Sequence, residues 1–130
     1  MLKCFVITDS HGYSYFKKSF DFDFEKINKD LLGGMLSALT TFGKELFKKS
    51  LARVFFGENM EVNLTIIKKE TYSSEKSIFF VFICEGDMSA KEMNKISTDI
   101  FIQTKSFLMH PSHERRFPSA RVERTIGKYF

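Results

Sequence analysis

Cysteine is scarce in this 130-residue chain, and Cys4 and Cys84 both lie inside apolar runs. Their number and spacing exclude a disulfide framework and a zinc-ligand pattern, so both read as reduced, buried thiols. No apolar segment approaches the ~20 residues of a membrane-spanning helix. The N-terminus lacks a basic stretch followed by a hydrophobic core and a cleavage site. A soluble, cytoplasmic protein is the expectation. A glycine-rich phosphate loop of the Walker or Rossmann type is also missing, so no nucleotide and no other cofactor is expected. Internal repeats and low-complexity tracts are absent as well.

The net charge of +4 is modest, and most of the excess lies near the C-terminus. After His113 stand Arg115, Arg116, Arg121, Arg124 and Lys128 against Glu114 and Glu123. A solvated tail and a peripheral contact with an anionic membrane both remain open for this segment. Nucleic acid is not expected, because no basic stripe interleaved with aromatics occurs elsewhere. The length suits one domain, read as residues 1–110 followed by a basic tail or short third helix over 111–130.

The longest helical pattern runs from Phe24 to Phe47. On a 3.6-residue helix, Phe24, Leu31, Leu32, Met35, Ala38, Leu39, Phe42 and Leu46 share one face, with Ile27 and Leu36 at its margins. Lys26, Gly33, Ser37, Thr40 and Lys44 fall opposite. An arc wider than the ~100° of an ordinary surface helix implies two contact surfaces, a sheet and a second molecule. Asp21 or Asp23 is the expected cap. Gly33-Gly34 costs about 1 kcal/mol per Gly relative to Ala, which close approach of another backbone would offset.

Leu2 to Thr8 is a strand apolar at nearly every position, and Asp9-Ser10-His11-Gly12 has turn chemistry, leading into a second strand over Tyr13 to Lys17. Leu51 to Phe56 and Met60 to Lys68 form a second hairpin. Lys69 to Lys76 reads as a polar loop, and Ile78 to Cys84 as a central strand covered on both faces. Ser89 and Glu92 make a capping box for a second helix that runs to about Met109. A third helix from about Ser119 is weakly signalled.

This order, with the turn Asp9-Ser10-His11-Gly12 and the helix segment Leu31-Leu32-Gly33-Gly34-Met35-Leu36-Ser37-Ala38-Leu39, resembles the longin and roadblock families. The resemblance covers Leu2 to Met109. It implies an α+β fold with a five-stranded, mainly antiparallel sheet in β-β-α-β-β-β-α order and helices on both faces. It further implies a non-catalytic scaffold, not an enzyme, that forms a homodimer or a heterodimer with a related domain and serves a Ras-like small GTPase or a trafficking assembly. The expected partner surface is the helix flank of Gly33, Ser37, Thr40 and Lys44 together with Arg53 and Phe55 of the neighbouring strand.

Two alternatives stand beside it. Ile7-Thr8-Asp9-Ser10-His11-Gly12 resembles the opening of a metallophosphoesterase, which implies Asp9 and His11 as metal ligands. The remaining ligand motifs are incomplete: Gly86-Asp87 is followed by Ala90 where an acid is needed, and Ser112 precedes His113 where that family has Asn. His110 and His113 flank a proline without an acidic or cysteine partner at ligand spacing. A small-molecule sensor of the PAS or profilin-like type is the third reading.

Overall fold

The computed structural model describes residues 2–9, 11–20, 26, 28–48, 53–57, 60–70, 75–86, 89–109 and 116–129, without the side chains at 29, 55, 56, 66–70, 75–77 and 109. The elements are β1 (Leu2–Asp9), β2 (Ser14–Ser19), α1 (Lys29–Phe47), β3 (Arg53–Phe56), β4 (Met60–Glu70), β5 (Glu75–Glu85), α2 (Ala90–Met109) and α3 (Ser119–Gly127). The expected α+β class and element order are both observed, with α3 added. Two compact units result, Met1–Met88 and Ser89–Phe130.

In the first unit the sheet order is β2-β1-β5-β4-β3, antiparallel at every pairing. The two most apolar strands, β1 and β5, are therefore internal and adjacent. Their alternation sorts side chains onto two buried faces. Cys4, Val6, Phe79, Val81 and Ile83 join Leu36 of α1 and Val62 of β4 in one cluster. Phe5, Ile7, Phe80 and Phe82 point the other way and are also fully buried. Removing such side chains from water contributes about 1.5–3 kcal/mol each. The shorter β2 and β3 are left at the edges.

Two expected boundaries move. The cap of α1 is Asn28 rather than Asp21 or Asp23, which lie outside the described residues. Asn28 is extended, and its side-chain oxygen accepts from Asp30 N–H at 3.0 Å and Leu31 N–H at 3.1 Å, so the helix starts at Lys29. The two ends of the expected loop from Lys69 to Lys76 are instead strand, because β4 and β5 stay paired through Lys69↔Lys76 and Glu70↔Glu75, and residues 71–74 lie outside the described residues. A two-stranded ladder satisfies its own backbone groups, so it can run past the apolar core in a polar sequence. Leu51 of the expected third strand lies outside the described residues.

The second unit packs α2 with α3. Ser89 Oγ accepts from Glu92 N–H at 3.1 Å, as the capping box requires. Met93, Ile96, Ile100 and Leu108 on α2 and Val122 and Ile126 on α3 are buried. Residues 119–127 of the C-terminal segment are thus a helix with an apolar side. No helix among the described residues is long and apolar enough to cross a membrane.

Candidate functional site

The first β-turn holds the residues expected of a metal site. Asp9 is buried, and its carboxylate accepts from the backbone N–H of His11 (2.9 Å) and Tyr13 (3.0 Å) and from the Tyr15 hydroxyl (3.2 Å). Thr8 Oγ1 donates to the Tyr13 carbonyl at 2.8 Å, and Gly12 takes φ +90°. The carboxylate thus organises the turn as an Asx motif. His11 is exposed. No cluster of potential metal ligands occurs among the described residues, and Asp87, His110, His113 and Glu114 lie outside them. Burial pushes the Cys4 thiol above its ordinary pKa, against smaller opposing effects of Ser19 and Lys17, so it is a poor nucleophile.

The turn also sets the pose of α1. A Cβ built on Gly33 would lie 2.5 Å from the Gly12 carbonyl oxygen and 2.9 Å from Thr8 Oγ1, so the helix meets the turn backbone to backbone. Leu36 is fully buried and Thr40 is 3% exposed, its hydroxyl donating to the Leu36 carbonyl at 2.7 Å. Gly33, Leu36, Thr40 and Gly43 recur at intervals of three and four and form the inward side.

This corrects the expected helix orientation. Gly33 and Thr40, expected on an outward partner flank, face inward, because small residues allow a closer approach than Leu or Phe. Ser37 is half-buried and Lys44 exposed, on the flank away from Leu39 and Leu46. Residues expected to face the sheet stand outward instead: Leu31 is 74% exposed, Phe42 55% and Leu46 61%. Leu39 lies between them, and the rings of Phe42 and Phe47 meet edge to face at 6.0 Å. Leu32 and Met35 pack partly against the core. The periodicity found the apolar arc, and the 3-4-3 spacing of Gly33, Leu36, Thr40 and Gly43 was the signal for the true inward face.

Arg53 lies on the sheet face opposite α1. Its Nε donates to Asn63 Oδ1 at 2.7 Å and stands 3.8 Å from the mostly buried Glu61 carboxylate. Arg53 therefore balances a buried acid. Phe55 pairs with Glu61 through the backbone register, and its side chain lies outside the description. The outer edge of β3 carries backbone donors and acceptors with no strand beside them among the described residues.

The α+β fold with a five-stranded antiparallel sheet is the one that the longin and roadblock resemblance implies. It is similar to that of Myxococcus xanthus MglB, with a TM-score of 0.53 and 15% sequence identity over 81% of this chain and 85% of that one. Neither a family model nor a curated protein matches the sequence. At this identity the likeness speaks for the fold alone, and α1 with the β3 edge carries the local argument.

Proposed function

We propose that this chain is a non-catalytic association scaffold, which pairs with a second copy of itself through the outer flank of α1 and works with a Ras-like small GTPase. The observation that carries the reading is the outward row Leu31, Leu39, Phe42 and Leu46 on a helix already anchored by its other side. Burying such a row removes apolar surface from water at about 25 cal/mol per Å². The β3 edge adds main-chain hydrogen bonds of the strand-addition kind. The resemblance of the turn and the α1 segment to the longin and roadblock families, whose members serve small GTPases, supports a GTPase as client, and the fold likeness to MglB accords with it.

The GTPase part is tested by titrating the chain against Ras-like GTPases of the same organism, loaded with GDP or a non-hydrolysable GTP analogue. Binding that depends on the nucleotide state supports the reading. Absence of binding in both states across that set would reduce the proposal to self-association.

A further inference from the structure

α3 carries Arg121 and Arg124, and Lys128 caps its C-terminus, so three cations follow at positions i, i+3 and i+7 along the helix and its cap. With Gln103 of α2 and Thr125 they line a pocket of about 280 Å³. Among the described residues this lining offers three cations and an amide and no carboxylate, while the Thr125 hydroxyl donates to the Arg121 carbonyl at 2.9 Å. Asp99, one turn before Gln103, accepts a hydrogen bond from the Tyr129 hydroxyl, and Lys95 stands 5.9 Å from the centre of that ring. The acid nearest in sequence on α2 is therefore engaged beside the pocket.

A solvated helix face is the bland account of these cations, and the helix dipole explains part of it. Arg124 and Lys128 sit at the negative C-terminal end, where positive charge is favourable. Arg121 sits in the first turn, at the positive end, with no acid there to offset it. Neither Arg121 nor Lys128 has an acidic partner among the described residues. Like charges three and four residues apart repel, and an anion held between them removes that repulsion. Arg124 is also aimed: its Nε donates to the Ala120 carbonyl at 3.4 Å, leaving its terminal N–H groups for a ligand. Arginine forks match the oxygens of a phosphate, and lysine supplies a point charge. At about 280 Å³ the pocket lies just below the ~300–1,000 Å³ range of drug-sized ligand sites, which suits one or two phosphate groups.

We propose that this pocket binds a phosphate group, carried either by a small soluble phosphoester or by a phosphorylated lipid headgroup. The proposal does not depend on the association reading. The test uses the full chain, with pyrophosphate followed by amide chemical shifts and with phosphatidylcholine vesicles doped with phosphatidylinositol bisphosphate. Vesicles of equal charge made with phosphatidylserine serve as the reference. Arg121→Gln with Arg124→Gln is compared with Lys91→Gln with Lys105→Gln, which removes the same charge from exposed positions outside the pocket.

Saturable shifts centred on Gln103, Arg121, Thr125 and Lys128, weakened roughly tenfold in the arginine pair only, are expected from loss of two charge-assisted contacts. Pyrophosphate binding without selective vesicle capture assigns a soluble ligand; selective capture of the bisphosphate vesicles, lost in the same pair, assigns a lipid headgroup. Equal weakening in both pairs, or no saturable response to either probe, would overturn the proposal.

Discussion

Gly33 and Gly12 meet so closely that a single methyl group on Gly33 would stand 2.5 Å from the Gly12 carbonyl oxygen. The contact fixes the rotation of α1. A helix pressed against the first turn through Gly33 and against the sheet through Leu36 must send Leu31, Phe42 and Leu46 outward. An internal packing contact thereby creates the surface on which the proposed association depends.

Gly33→Ala should therefore destabilise the chain by about 1–3 kcal/mol, the usual cost of overpacking. Gly34 is exposed, with nothing within 4 Å of the place its Cβ would take. Gly34→Ala should stabilise by about 0.5–1 kcal/mol through helix propensity alone. Urea midpoints at unchanged slope measure both. Shifts of the same sign would show that the close approach does not control the helix.

Asp9 organises the first turn through its carboxylate. Asp9→Ala strands the N–H groups of His11 and Tyr13 and the Tyr15 hydroxyl, and a loss of about 2–4 kcal/mol is expected for hydrogen bonds to a buried charge. Asp9→Asn keeps one acceptor oxygen and should lose less. The wild-type chain should not hydrolyse phosphodiesters with manganese or zinc. Turnover abolished by His11→Ala with the fold intact would favour the metallophosphoesterase alternative.

Much of this was legible in the sequence because it is local. The Asp9 to Gly12 turn, the capping of α2 by Ser89 and the fully apolar β5 each follow from a few neighbouring residues. The rotation of α1 was not, because hydrophobicity ranks Leu and Phe above Gly and Thr, whereas the sheet and turn chose the side that fits closest. The cap at Asn28 was missed because the apolar pattern reached back to Phe24, and the pairing of Lys69 with Lys76 and of Glu70 with Glu75 because polar ladders resemble loops. The cationic pocket joins two helices that sequence spacing does not bring together.

The phenol of Tyr129 has its pKa raised above the ordinary tyrosine value, first because its O–H donates to the Asp99 carboxylate, then through partial burial and the Asp99 charge. A raised folded pKa stabilises the fold fully below the unfolded value near 10 and loses that contribution as pH rises through the folded value. Asp99→Asn should bring the Tyr129 transition back towards the ordinary value in a phenolate absorbance titration. An unchanged transition would mean that the two side chains do not interact in solution.

The central claim concerns the outer flank of α1, and the mass of the chain in solution tests it most directly. Light scattering should give a dimer at roughly tens of micromolar, the threshold for a micromolar dissociation constant. Phe42→Glu with Leu46→Glu should give a monomer with the same far-ultraviolet circular dichroism, because both side chains are exposed in the single chain and their charges would be buried unpaired only in the dimer. A wild-type chain that stays monomeric across that range, or a double variant that remains dimeric, would contradict the account.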